Sequence, residues 1–408
     1  MTVQRILIVG GGVAGPTLAL LLAKHLPSSQ ITILERSTTQ SELGQVVDIE
    51  GPSQEIMSRL NLLPLLREAS THEQGIEVVN EQGGLIGRLP AGQSGGASKE
   101  IEIMRPRLSK VIYNATREYK NVQWRFGKTV TAIEERQDDV LVEVSDVETK
   151  ETQKDGFDLV VAADGLRSKT RNLILPANLR KDCIKSLDVY IAFFSLPAEV
   201  QDRPYSRLLS LPGSRNALIK PIDENISSAY LSVANHDDEL SEARRSRDTR
   251  RKREIMSARF KGSGWETDRM AREILTTDNF YFEEISQIKL NKWSHGKCVL
   301  LGDTAWCPSP LTGQGTNTAV LGAYILAHCI ITHSDNLEKA FAEYEQMMRG
   351  YVDKIQAIPL GGRLPKLINP DSGWGIWIQR TIIGAVSRLG LYKYIPESKV
   401  DYEGLPDL

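Results

Sequence analysis

Cysteine is scarce in this 408-residue chain, with only Cys183, Cys298, Cys307 and Cys329 and no Cys-x-x-Cys pair. That spacing supports neither a disulfide framework nor a zinc site, so reduced thiols in a cytosolic (cytoplasmic) protein and no bound metal are expected. An excess of either charge is also lacking. Fifty Lys and Arg against 52 Asp and Glu leave a formal charge of -2, with no long-range attraction to nucleic acid or an anionic membrane. A small organic molecule is the expected partner. Long hydrophobic runs are missing too. The apolar stretch Gly373 to Ile395 is interrupted by Gln379, Arg380 and Arg388, short of the roughly 18 consecutive apolar residues a membrane span requires. An amphipathic helix lying on the protein is expected there instead. The early apolar run is broken by Gly10, Gly11, Gly12 and Gly15, which argues against a signal peptide. There is no internal repeat, and nothing marks an oligomeric state.

What the chain does have is enough apolar residue, 41%, for two packed cores. Arg5 to Val9, Pro16 to His25 and Gln30 to Leu34 read as strand, helix and strand, one βαβ unit closed by a glycine turn. Gln54 to Ala69 has helical spacing, and Ile76 to Leu89 reads as strands around Gln82-Gly83-Gly84. Ala91 to Ser98 reads as a loop and Arg107 to Tyr119 as a helix. Strands are predicted at Thr129 to Glu134, Val140 to Val147 and Phe157 to Ala163. Val189 to Leu196, Ala217 to Pro221 and Ser227 to Ala234 suggest an antiparallel sheet inserted into the nucleotide-binding fold. The arginine-rich run from Ser241 to Glu254 has no interleaved aromatics and reads as a solvated helix, not a nucleic-acid site. The expected class is α/β: a Rossmann-type nucleotide domain with an inserted, mostly antiparallel β-sheet domain and C-terminal helices. Its nucleotide domain is discontinuous (1–75, 98–183 and 279–355), with the sheet domain at 76–97 and 184–278 and a helical segment at 356–408.

Gly10-Gly11-Gly12-Val13-Ala14-Gly15 fits GxGxxG between a strand and a helix, the setting that motif requires. Gly10 permits the tight turn, Gly12 the approach of a pyrophosphate and Gly15 close packing of helix on strand, while the helix N-terminus stabilises phosphate charge. Glu35, twenty residues after Gly15, is placed to accept from an adenosine ribose, with Arg36 beside it. These residues indicate a dinucleotide without separating FAD from NAD. Two further strands end in acidic turns. Leu159 to Ala163 runs into Asp164-Gly165, and Val299 to Leu301 into Gly302-Asp303, followed by Pro308-Ser309-Pro310-Leu311-Thr312-Gly313-Gln314-Gly315-Thr316-Asn317 and a helix.

With these three motifs in this order, nearly the whole chain resembles the aromatic-hydroxylase family of FAD-dependent monooxygenases, the para-hydroxybenzoate hydroxylase-like, class A flavoproteins. The resemblance implies non-covalent FAD, with Asp303 on its ribityl chain and the Gly313–Asn317 turn aiming N–H groups at the electron-rich edge of the ring. Pro310 would line the place where oxygen reacts. Asp164 and Gly165 would lie near the pyrophosphate and assist the nicotinamide cofactor, and Arg105 and Asp48 match positions beside the flavin. Two departures stand out. Trp306 follows the Gly302–Ala305 motif where many relatives have histidine, and Ser37 to Leu43 lacks the basic residue found there in others.

The implied reaction takes electrons from NADPH or NADH, which has no second GxGxxG and would bind transiently. One oxygen atom from the co-substrate O2 then enters an aromatic or otherwise electron-rich small molecule, a secondary metabolite, through a flavin hydroperoxide. Tyr190 and Phe194 lie on one face of a strand and are candidates to border the substrate. No acid or base is assigned. Other reactions on the same fold stay open: an FAD-dependent reductase or dehydrogenase of the prenyl-chain reductase kind, or a flavin halogenase, of whose Gly-Trp-x-Trp-x-Ile segment Gly373-Trp374-Gly375-Ile376-Trp377-Ile378 is a near miss.

Overall fold

The computed structural model describes residues 3–40, 44–71, 73–91, 101–357, 369–394, 402 and 404–408. The strand Arg5–Val9 is apolar from Ile6 onward and buried on both faces, the pattern of an inner parallel strand. It pairs in parallel with Leu159–Ala162 on one side and Gln30–Glu35 on the other. Cys298–Leu300 and Val122–Phe126 extend the parallel sheet, and Ser294–His295 adds an antiparallel edge. The helices Ala14–His25, Gly315–Thr332 and Leu337–Gln356 pack with this sheet into one large core. Gly315–Thr332 is long and apolar enough to cross a membrane, yet it is mostly buried here, as a core helix. A three-stranded antiparallel sheet, Lys128–Glu135, Val140–Asp146 and Thr152–Phe157, adds Val130, Val140, Val142 and Phe157 to the same core.

The second sheet has seven strands, in the order Phe280–Ile288, Ile184–Pro197, Ile226–Val233, Arg215–Pro221, Ser206–Leu211, Gly75–Val79 and Leu85–Pro90. All its pairs are antiparallel except Ser206–Leu211 with Gly75–Val79. The helices Asp238–Arg245, Thr249–Phe260 and Thr267–Thr276 pack with it through Leu240, Met256, Phe260, Met270 and Ile274. The arginine run thus forms parts of two helices, N-capped by Asp237 and Asp248.

Several expectations need correction. The single helix predicted over Gln54 to Ala69 is two, Pro52–Arg59 and Leu63–Glu68, because Asn61 takes a left-handed φ of 58° between them. The strand predicted over Phe157 to Ala163 belongs to two sheets. Asp158 marks the division, its carboxylate accepting from the Gln4 and Arg5 N–H groups. Phe280–Ile288, expected in the nucleotide half, lies in the seven-stranded sheet, and the strand Ser206–Leu211 was not anticipated. Most of the predicted 91–98 loop (92–98) lies outside the described residues. The C-terminal segment is not solely helical. Helix Gly373–Arg388 lies against strand Leu85–Pro90, with Trp374 and Trp377 stacked and exposed, whereas Tyr402, Leu405 and Leu408 pack on the first core.

Candidate functional site

At Gly10, φ is +119° and a Cβ would lie 2.3 Å from the Ala163 carbonyl oxygen, so the turn and the neighbouring strand end are in backbone contact. A Cβ on Gly15 would lie 2.2 Å from the Gly10 carbonyl oxygen. Gly12 differs, since a Cβ there would meet only Arg105 Nη2, at 3.5 Å. Among the described residues nothing requires Gly12 to lack a side chain, which is what a position reserved for an approaching ligand looks like. Val13 and Ala14 are buried where the helix begins. Glu35 accepts from Gly11 N–H and Ser37 N–H, both at 2.8 Å, which fixes its carboxylate at the end of the second strand, while Arg36 is exposed beside it.

The two acidic turns converge on this point. Asp164 does not offer a free carboxylate: one oxygen accepts from Ser168, and the other from the Thr170 hydroxyl at 2.9 Å and its N–H at 3.2 Å. Its work is to hold the Gly165 turn, whose N–H donates to Thr304 Oγ1 at 2.8 Å. Arg171, 2% exposed, donates to the carbonyls of Thr304 and Leu166 and so joins the two turns. Neither Thr304 nor Arg171 was singled out from sequence. Thr304→Val leaves the Gly165 N–H without its acceptor. The expected loss is about 1–2 kcal/mol in a urea melt, with weaker retention of the cofactor.

Gly302 has φ +63°, and a Cβ there would lie 3.1 Å from the Ala14 methyl, so Asp303 is delivered beside the glycine turn. Burial raises the Asp303 carboxyl pKa, and the Arg105 charge opposes that rise. Gly315 at the start of the following helix is close to Asp303, with 3.9 Å from a built Cβ to Oδ1. The Gly313–Asn317 turn is fixed from the other side. Gln314 Nε2 donates to Glu50 at 2.6 Å, Glu50 N–H donates to Asn317 Oδ1 at 3.1 Å, and Ser53 donates to the Asn317 carbonyl at 3.0 Å. Asn317 Nδ2 is buried with no hydrogen-bond partner among the described residues, an orphaned donor in the turn expected to meet the flavin. Pro310 is exposed in the single turn Pro310–Thr312 between these elements. Trp306 is buried against Trp293 and Tyr344, a packing role.

Arg105 begins the helix Arg105–Thr116, and its charge is felt by both Asp303 and Tyr281. Asp48 lies on the short strand Val46–Asp48 opposite Glu102, whose carboxyl pKa it helps to raise.

Tyr190 and Phe194 do not border this site. Both are buried in the second core with the three helices, Tyr190 stacked on Phe282. The strand's alternation puts their neighbour Phe193 on the opposite face, where it meets Tyr230 edge-on at 4.9 Å and Tyr281 at 6.1 Å. Tyr230 accepts from Val46 N–H at 3.2 Å, so this aromatic row reaches the strand bearing Asp48. The two residues named from sequence thus face the helices, and it is Phe193 on the same strand that faces the other way.

A surface cleft of about 1500 Å³ lies elsewhere, lined by Arg5, Asp158, Lys297 and Asp335 among others. It touches the amino ends of the sheet strands, whereas ligands of open α/β sheets bind at the carboxyl ends, where the three turns meet.

The model of the FAD binding domain matches residues 4–346. The chain belongs to that family, and it is an FAD-dependent monooxygenase. It is 34% identical over 401 residues to monooxygenase CTB7 of Cercospora beticola, covering 96% of this chain and 94% of that protein. It is 30% identical over 408 residues to FAD-dependent monooxygenase asL6 of Sarocladium schorii, covering 95% and 93%. Among solved structures, the tetracycline destructase Tet(55) superposes with TM-score 0.79 at 25% identity, covering 100% and 99%. Klebsiella pneumoniae HpxO, solved with FAD and uric acid, superposes with TM-score 0.72 at 16% identity, covering 96% and 95%. The FAD-binding fold with several sheets and C-terminal helices agrees with the sequence reading.

Proposed function

We propose that this monooxygenase uses NADPH or NADH and O2 to place one oxygen atom in an aromatic or otherwise electron-rich small molecule, a secondary metabolite. The observation that carries the reading is the meeting of the three turns with Arg105 beside the Phe193–Tyr230–Tyr281 row. The residues present fit FAD: the open position at Gly12 and the unpartnered Asn317 Nδ2 both lie where it would contact the chain. Gly10, Gly12 and Gly15 would hold its pyrophosphate, Glu35 the ribose, Asp303 the ribityl hydroxyls, and the Gly313–Asn317 turn with Arg105 the ring. Reduced FAD supplies the activation of O2 when bound.

The chain's own contribution is placement and exclusion of water. Phe193, Tyr230 and Tyr281 present ring faces and edges that orient a flat substrate. The tetracycline in Tet(55)'s name is a fused-ring compound of the kind such a row suits. We assign the first sheet and its helices to FAD and the second sheet to substrate.

The test is the visible spectrum of the purified protein, followed by NADPH oxidation in 18O2 with candidate ring compounds. Flavin bands and one labelled oxygen in the product are expected. A protein that binds no FAD, or that turns over without transferring oxygen to any of a broad ring panel, contradicts the proposal.

A further inference from the structure

Three carboxylates and one ammonium meet at the Tyr230 end of the aromatic row. Lys220 Nζ contacts Glu102 and, at 3.2 Å, Glu73, and these side chains are 15%, 6% and 1% exposed. Asp48 stands across the two-stranded pairing from Glu102. Tyr230 lies within the field of both Lys220 and Glu102. The cluster draws on four separate parts of the chain and is set beside the flavin turns. Glu102 is three residues before Arg105, and Asp48 is two before the Glu50 that holds Gln314 and Asn317.

With every group ionised the four side chains carry a net charge of -2, three carboxylates against one ammonium. We propose that the cluster is a charge filter of the substrate site: it accepts a neutral ring bearing hydroxyl donors and rejects the same ring bearing a carboxylate. This deepens the proposed function and rests on it for the location of the substrate. A further anion brought to the Phe193–Tyr230 end meets net negative charge, whereas a phenolic hydroxyl meets hydrogen-bond acceptors. One unit charge at about 10 Å and an effective dielectric of about 20 corresponds to a discrimination of about tenfold or more.

The filter depends on pH. Burial raises the Glu102 carboxyl to about 8; the Lys220 charge opposes that rise, and Glu73 and Asp48 add to it. Among the described residues, with Tyr230 these are the titrating groups that face it. Below about 8 Glu102 holds a proton and the cluster is less negative; above it the full charge is present. Discrimination therefore increases as pH rises from 6.5 to 8.5.

The experiment uses the FAD-loaded enzyme titrated with two matched pairs, orcinol with orsellinic acid and 2-naphthol with 3-hydroxy-2-naphthoic acid, read by the change in flavin absorbance. The neutral member of each pair is expected to bind about tenfold tighter or better at pH 7.5. Glu102→Gln is expected to reduce the ratio measured at pH 8.5 at least threefold and to flatten its pH dependence, with the flavin-to-protein ratio reporting integrity. If that variant loses FAD, Glu73→Gln takes its place: removing the Glu73 charge is expected to lower the ratio at pH 8.5 and, because that charge helps to raise the Glu102 carboxyl, to move the pH dependence to lower pH. The filter is overturned by carboxylates that bind as well as their neutral partners, by a ratio the variant leaves unchanged, or by failure of every compound to bind. Oxygen transfer is measured on the same samples. Charge discrimination without any oxygen transfer would count against the proposed oxygen transfer to such rings while leaving the filter standing.

Discussion

Gly10→Ala is expected to abolish the folded flavoprotein, whereas Gly12→Ala should leave a folded protein that no longer retains FAD. The two positions are two residues apart in one motif, and their surroundings separate the outcomes. At Gly10 a methyl group would be 2.3 Å from the Ala163 carbonyl oxygen and 2.9 Å from Asp164 N, and its φ of +119° is one that L residues rarely adopt. Relief requires shifting the central strand against its parallel neighbour, and a cost of about 4 kcal/mol or more is the scale for such a clash. That is a large share of the roughly 5–15 kcal/mol by which a domain is stable. At Gly12 the added methyl meets only the end of the Arg105 side chain, at 3.5 Å, so the apoprotein has no reason to unfold. It occupies instead the space through which a pyrophosphate reaches the backbone. A drop in FAD affinity of about a hundredfold, close to 2.7 kcal/mol, is expected. Urea unfolding of the apoproteins and the flavin-to-protein absorbance ratio after FAD addition separate the two effects. An unchanged flavin ratio in Gly12→Ala would show that the turn does not carry the phosphates.

The glycine turn and Glu35 were legible in sequence because they form a local device, with strand, turn, helix and acidic residue all inside 36 positions. The two acidic turns were legible for the same reason. The aromatic face proposed for the substrate was not. Strand Ile184–Pro197 is apolar on both faces, since helices bury one and the aromatic row occupies the other, so alternation reveals a strand without revealing its outward side. Tyr190 and Phe193 look equivalent in sequence and face opposite ways. Asp164 was read as a cofactor contact from its place in a motif, but its oxygens are taken by Ser168 and Thr170, partners within six residues whose geometry only the folded turn displays. The charge cluster was hidden because positions 48, 73, 102 and 220 have no spacing rule. In sequence Lys220 is one polar position within a strand, and only the folded chain places it among carboxylates.

Lys220→Met should lower the unfolding free energy by about 3–5 kcal/mol near pH 8, the range for removing one partner of a buried ion pair. The lysine is held charged: burial alone would lower its pKa, and the Glu102 and Glu73 charges outweigh burial and raise it. Its removal leaves Glu102, Glu73 and Asp48 facing one another, and the first two must then take up protons or bear mutual repulsion. Glu102 already binds its proton more tightly in the folded chain than in the unfolded chain, and the substitution strengthens that preference. A carboxyl whose folded pKa is raised contributes stability that is fully present below its unfolded value near 4.5 and is lost as pH rises through the folded value. The deficit of the variant is therefore smallest near pH 5 and grows through pH 8. Urea melts of the apoprotein at both pH values check the sign. Adding Glu102→Gln to Lys220→Met should recover part of the loss at pH 8, because a neutral amide removes one of the exposed charges without altering shape. A deficit that is independent of pH and unaffected by the second substitution would mean that Lys220 acts through the packing of its stem, and that the carboxylates around it are not coupled.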